Sequence, residues 1–448
     1  MGKMMKYFNT KYYCVLICFV SFMAFVFISD ISIAYDVRLD NCAAANIDNA
    51  VVLIKNNGGG TLYLPTCEVT YSPAKNFHVP GGVSIIGNGR TNTILRQAVF
   101  TFNKDAYGEV GTKISRLAHL AVKNNFTTAV GYNVIRQLQG MRVDHVDFEG
   151  RFSTFLNITM PSNNENAYVV IDNCNFSLYT SYGIYTVGNN TYYENNGSNA
   201  CRNLLGTATG SGGVIFFEDN NFYGYADHLI DGRQGAHYVF RHNTVQYNQI
   251  YQKIPGPIEG HGPGIGYSTE LGTNCMEVYG NLITMIEGYS ASSAILFRSG
   301  CGVVYNNTIE YKQTGIALAL ESSPYPYYSN PPPSGCAGVY PCVIGQQPHD
   351  IWIWGNTFNN ICKTWNPDRT CATPGNNVLV VWDSGYWIQQ NRDYFLRAPT
   401  LVNDGFTWTA FTYPHPLVSG GSNPVSNPLP PPSDPPPNAP KNLHIIKP

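Results

Sequence analysis

Eight segments of the chain repeat one twelve-residue phrase, and aligned on their last apolar residue they end at Val122, Phe148, Phe176, Phe222, Val245, Ile283, Ile309 and Phe358. The clearest copies are YVVIDNCNF, VIFFEDNNF and IWIWGNTF. Five positions before the end stand Val143, Ile171, Phe217, Phe240, Val278, Val304 and Ile353, an unbroken apolar column. The next position reads Asp144, Asp172, Glu218, Arg241, Tyr279, Tyr305 and Trp354. Side chains that alternate with period two belong to a half-buried strand, so the first column is expected to face inward and the second outward. Two positions before the end come Asn220, Asn243, Asn281, Asn307 and Asn356. Asparagine tolerates a left-handed bend and can hydrogen-bond its equivalent in the next copy, which predicts an asparagine ladder at a turn.

The copies lie 26, 28, 46, 23, 38, 26 and 49 residues apart. Units this short, stacked strand on strand, make a solenoid in which loops inflate some intervals. A helical repeat of similar length needs apolar residues three and four apart, a pattern missing here. The fold class is therefore all-β, a single-stranded parallel β-helix.

Only 12% of residues are charged against 13% aromatic. Lys3, Lys6 and Lys11 precede an apolar run of 15 residues from Cys14 to Ile28, and Ser32-Ile33-Ala34 supplies small residues for cleavage. Residues 1–34 thus read as a signal peptide, the mature chain beginning at Tyr35 in a secreted, extracellular or periplasmic setting. The run is short of the roughly 20 residues of a membrane span, with an uncleaved anchor as the alternative. Removing Lys3, Lys6, Lys11 and Asp30 from 27 basic and 29 acidic residues leaves 24 and 28. That mild negative balance argues against nucleic acid as a partner.

Ten cysteines follow the signal region in neighbouring couples: Cys42 with Cys67, Cys174 with Cys201, Cys275 with Cys301, Cys336 with Cys342, and Cys362 with Cys371. An even number in an exported chain predicts disulfides, and the 26 residues between Cys275 and Cys301 match one rung.

Near the start, a helix over Ile47–Asn56 is followed by a strand ending at Pro65 and another opening on Gly81-Gly82, with VSIIGNGRTNT to Thr93. This opening resembles that of secreted pectate-lyase-like β-helix proteins, in which a capping helix covers the first rung. The resemblance implies a right-handed coil and a β-helix domain over 35–418. From 419 to 448 the chain becomes SGGSNPVSNPLPPPSDPPPNAP and then PKNLHIIKP, an extended Pro-rich tail whose last residues are either a relic or a lone docking strand.

The interior of a β-helix is filled by side chains, so chemistry is expected on an outward face bordered by the insertions 246–274, 322–349 and 361–376. Neighbouring rungs lie about 4.8 Å apart, which stacks Asp144, Asp172 and Glu218 before Arg241, with Arg142 and Glu277 in the adjacent outward column. Stacked carboxylates need a cation or an arginine, so these residues form either a Ca²⁺ or uronate-binding surface or a solvated face. A second series, Asp231, Arg298, Glu321 and Asp383, closes strands before Gly or Ser turns and reads as substrate contact or as an ion-pair ladder. Arg241 and Arg298 are candidates to clamp a substrate carboxylate. His261 in EGHGPG is the candidate acid–base group, and His228, His237 and His242 read equally well as packing residues. Tyr279, Tyr305 and Trp354, with the cluster Tyr179, Tyr182, Tyr185, Tyr192 and Tyr193, offer sugar-stacking platforms or simply sheet packing.

Gly260-His261-Gly262 resembles one motif of polygalacturonases, but the paired aspartates of that family are absent as contiguous motifs, which disfavours inverting hydrolysis. IDGRQGAHYVFRHNTV, HG, CMEVYGN and FRSGCGVVYNNT resemble a run in uncharacterised exported bacterial β-helix proteins. That run gathers Asp231, Arg241, His261, Glu277 and Arg298 as candidate catalytic residues, with Glu218, Glu321, Tyr279 and Tyr305 as substrate contacts. The expectation is a polysaccharide lyase acting on a uronate glycan, with Ca²⁺ at Asp144 and Asp172 as its one candidate cofactor. A non-catalytic extracellular glycan-binding or structural protein is the alternative.

Overall fold

A computed structural model describes residues 34–419, apart from short interruptions of which the longest are 189–204, 249–256, 263–271 and 322–347, together with 445–446. The expected signal peptide and most of the Pro-rich tail lie outside the described residues.

The repeat folds as expected into a parallel β-helix. Each full coil has three strands, and the strands stack into three parallel faces. Face A holds Tyr168–Asp172, Val214–Glu218, His237–Arg241, Cys275–Tyr279 and Gly300–Tyr305, paired residue for residue. Face B holds Asn175–Tyr179, Asn221–Tyr225, Thr244–Asn248 and Leu282–Glu287. Face C holds Asn133–Arg136, Thr154–Thr159, Tyr182–Val187, His228–Arg233, Ile258–Gly260 and Ser293–Phe297. Among the described strands, the antiparallel pairing of Thr357–Trp365 with Cys371–Gly375 is the exception. The Cys336 and Cys342 couple lies outside the described residues.

The inward column is buried throughout, from Val143 to Ile353. The terminal aromatic residues stack on neighbouring rungs of face B, with ring centroids 5.1 Å apart for Phe148–Phe176 and 4.7 Å for Phe176–Phe222. The capping helix spans Ala44–Asn56, three residues longer at its start than the sequence predicts, and buries Ile47, Ala50, Val51 and Ile54 over the first rung. It shields the open edge of the first coil, where unpaired strand groups invite aggregation. At the other end, Ile445–Ile446 adds a parallel strand to Leu379–Val380, the docking outcome for the end of the tail. No helix among the described residues is long and apolar enough to cross a membrane.

The asparagine ladder forms between faces A and B. Asn220, Asn243, Asn281 and Asn307 each donate from the side-chain amide to Oδ1 of the next asparagine, at 2.8–3.2 Å. Each Oδ1 also accepts the backbone N–H of the preceding ladder residue, and each amide reaches a backbone carbonyl one rung back. The left-handed bend sits one residue earlier than expected, at Asp219, His242, Gly280 and Asn306, with φ of 52–68°. The ladder amides are thereby free to bond along the coil. Asn281→Ala strands the N–H of Asn243 and the carbonyl of Phe240, both of them buried, and should cost about 2–5 kcal/mol, read as a lower denaturation midpoint.

Face A departs from expectation. Its second column does point out of the coil, yet Asp144, Asp172, Glu218, Arg241, Tyr279 and Trp354 are buried, and only Tyr305 is half-buried. The segment from Ala398 to Val418 doubles back across this face and lays Phe406, Trp408, Phe411 and Leu417 on Tyr168, Phe216, Val239, Val303 and Trp352. The β-helix domain expected over 35–418 thus ends in a stretch that covers earlier rungs instead of adding to them.

Candidate functional site

The candidate residues separate into two groups on different faces. Under the cover on face A, charges are neutralised pairwise. Asp144 accepts from Nε and an Nη of Arg116 at 2.6 Å each, and Asp172 accepts from Nε and an Nη of Arg142 at 2.8 Å each. Burial opposes the charge on Asp144, but Arg116 and Arg142 hold its carboxyl below the usual carboxylate range. With both oxygens of each carboxylate clasped by guanidinium, the two residues do not fit a Ca²⁺ site, which needs six or more oxygen ligands.

Arg241 is fully buried and serves the cover. It donates to Glu218 at 2.6 and 2.8 Å, to Tyr279 Oη at 3.1 Å, and to the carbonyls of Phe411 and Thr412 at 2.7 and 2.8 Å. Glu218 also accepts the N–H of His415, and Glu277 accepts Trp408 Nε1–H at 2.9 Å. The expected sugar platform is packed against protein: the Trp408 ring lies 5.3–5.8 Å from those of Tyr279, Tyr305 and Trp354. Arg241, Glu218, Glu277, Tyr279 and Tyr305 therefore hold the cover to the coil.

Two expected disulfides are also absent: Cys174 and Cys275 are buried free thiols, while Cys42–Cys67 forms. Cys275 and Cys301 do sit opposite each other on adjacent strands, as their spacing predicts, but Cys301 is bonded to a sulfur outside the described side chains. Cys362 and Cys371 lie on the antiparallel pair, and Cys201 lies outside the described residues.

Face C brings the other candidates together. Asp231 pairs with Glu259 across adjacent strands, and two residues further along each strand come Arg233 and His261. Backbone bonds from His261 to Gly232, Arg298 to Gly260 and Glu321 to Phe297 place Arg233, His261, Arg298 and Glu321 on successive rungs of one column. Beneath them lie the carboxylates of Asp231 and Glu259, both buried. Arg233 donates to Asp231 at 2.9–3.1 Å, and Glu259 is paired with both Arg298 and His228. Arg233, Arg298 and His261 keep part of their side chains in solvent. Buried acids thus aim a basic rim outward. Burial works against a charged Glu259, yet Arg298 and His228 hold it far below the usual carboxylate range, and Glu259 in turn lifts His228 above the usual imidazole value.

Burial pulls the His261 imidazole below its ordinary value, and Arg298 adds to that against Glu259, which favours the neutral ring. Its Nδ1 lies 2.6 Å from the carbonyl of Gly262, which only accepts, so the ring proton resides on Nδ1 and Nε2 carries the lone pair. Its carbonyl is pinned by Ser299 Oγ and the N–H of Thr273, which fixes the backbone under the ring. Ligand atoms of His228, Asp231 and His261 lie within 4.8 Å of one another, but the adjacent guanidinium groups of Arg233 and Arg298 oppose a cation there.

The same column continues toward the N-terminus through Val187, Thr159 and Arg136 to Asn103. There a cleft of about 580 Å³ opens, lined by Asn103, Arg136, Asn157, Thr159, Val187 and Gln234. From Arg136 to Arg233 is three rungs, about 14 Å, and from Arg233 to Arg298 two more. Positive side chains thus recur along a track parallel to the coil axis.

Glu259, Arg233 and Arg136 were not among the residues expected from sequence, and His228 was expected equally as a packing or ladder residue. Glu259 stands two residues before His261, the spacing that puts side chains on one strand face, so the alternation used for face A would have found it. Tyr179, Tyr182 and Tyr185 lie on strands of faces B and C, and Tyr192, Tyr193 and Asp383 lie outside the described residues, as do most of the three insertions expected to wall the groove. Comparison of the chain with known protein families, with curated proteins and with solved structures finds no match.

Proposed function

We propose that the chain is an exported polysaccharide lyase-like enzyme that cleaves a uronate-containing glycan by β-elimination on face C. Arg298 and Arg233 neutralise the uronate carboxylate, which acidifies the adjacent C5–H. His261 Nε2 takes that proton, the electron pair forms the C4–C5 double bond, and the C4–O4 bond breaks. The oxygen departs with the preceding sugar as its new reducing end and takes a proton from water. The observation that supports this reading is a backbone-pinned imidazole on the rung between those of Arg233 and Arg298, in the column that runs on to a cleft reaching Gln234.

Arginine alone is a poor base, and His261 removes the need for one. The track of Arg136, Arg233 and Arg298 favours a second reading, a non-catalytic binder of acidic glycans, since spaced guanidinium groups retain a polyanion without chemistry.

One experiment separates the two. The full chain is incubated with a panel of uronate polymers while the ultraviolet absorbance of unsaturated products is followed, and retention on the same immobilised polymers is measured. Product with retention supports the lyase. Retention without product, lost in Arg298→Ala, supports the binder, and neither product nor retention overturns both. For either reading, Arg136→Ala should raise the apparent KM or Kd for long polymers about tenfold and leave short oligomers unaffected.

A further inference from the structure

We propose that His237, Cys275 and Glu277 on face A form a binding site for a borderline-soft divalent transition ion, by its chemistry Zn²⁺. The site lies apart from the face C cluster and does not depend on the glycan reading. His237 and Cys275 are direct partners on adjacent parallel strands, and Glu277 follows Cys275 by two residues, so all three side chains leave the coil on the same side. One nitrogen of His237, Sγ of Cys275 and a carboxylate oxygen of Glu277 lie within 4.8 Å of one another, and all three residues are buried. Tetrahedral Zn²⁺ with bonds of 2.0–2.3 Å holds its ligand atoms about 3.3–3.8 Å apart. His237 Nε2 and Glu277 Oε1 are 3.3 Å apart.

A further observation points to a missing cation. Apart from Asp350, which pairs with His349, the buried carboxylates Asp144, Asp172, Glu218, Asp231, Glu259, Asp393 and Asp404 each meet an arginine. Glu277 does not. Among the described residues its partners are the N–H of Gly206, the Trp408 indole N–H and His237, too little to balance a buried anion.

A divalent ion would balance Glu277. Thiolate and carboxylate together neutralise its charge, and the imidazole supplies a neutral third ligand. Mixed sulfur, nitrogen and oxygen donors suit Zn²⁺ and exclude Ca²⁺ and Mg²⁺, which take oxygen. Cys275 is a free thiol directly opposite Cys301, whose sulfur is bonded elsewhere, so Cys275 remains available as a ligand. Because Glu277 holds Trp408, the ion would fasten the cover as well.

The test strips the full chain with a chelator and titrates it with Co²⁺, whose thiolate complexes absorb by sulfur-to-metal charge transfer. One Co²⁺ per chain is expected with that band, displaced by Zn²⁺. The band should persist in Cys174→Ala, which removes the other buried thiol among the described residues, and vanish in Cys275→Ser, while His237→Ala should weaken binding at least tenfold. Absence of the band from the wild type, or its survival in Cys275→Ser, overturns the site. Should Cys275→Ser not fold, X-ray absorption of the zinc-loaded wild type decides: a shell with one sulfur among lighter ligands supports the site, and a shell with none or several overturns it.

Discussion

His261→Ala should lower turnover of the uronate polymer by about 100- to 10,000-fold while leaving retention on immobilised polymer within a few-fold of wild type. The separation arises because the arginines that grip the carboxylate lie on neighbouring rungs and do not depend on the imidazole for their own placement, which comes from Asp231 and Glu259. A pH profile of kcat/KM checks the assignment further. The neutral ring is the proton-accepting form, and its pKa is lowered, so activity should hold as pH falls and drop only below about 6.5, the ordinary imidazole value. An acid limb above that value, or His261→Ala retaining turnover, removes His261 as the base.

Arg241→Ala should destabilise the protein by about 3–5 kcal/mol, the largest stability effect expected of a single polar substitution here. The change leaves Glu218 buried without its cation and the carbonyls of Phe411 and Thr412 without donors. Arg298→Ala, whose side chain is partly in solvent, should cost less. Denaturant titration of both variants ranks them, and Arg241→Ala should also reduce glycan turnover only as far as it unfolds the chain. A loss of turnover in Arg241→Ala without loss of stability would return this arginine to the active site.

The parts of the molecule that the sequence revealed are those set by local alternation. Val143 to Ile353 faced inward and Asn220 to Asn356 formed the ladder because each depends only on its own rung and the next. The buried state of Arg241 depends instead on residues some 170 positions later, and no periodicity within the repeat encodes that contact. The aromatic density of FTWTAFTYPHPLV was its one visible trace. The face C cluster was half legible: Asp231, His261, Arg298 and Glu321 stood out, but Glu259 sits in a three-residue strand outside the repeated phrase, where little alternation marks it beyond its spacing from His261. Cysteine spacing found the right neighbours for Cys275 and the wrong bond, since register brings two sulfurs together without deciding whether they join.

The cover over face A comes from residues made after every rung it protects. While the chain grows, Tyr168, Phe216, Val239 and Val303 are therefore presented to water on coils that have already closed. The guanidinium–carboxylate pairs interleaved among them are present from the same moment and keep that surface hydrated. These ion pairs thus act as a temporary coat before the cover closes, and a truncated chain ending before Ala398 should emerge from synthesis as an aggregating species.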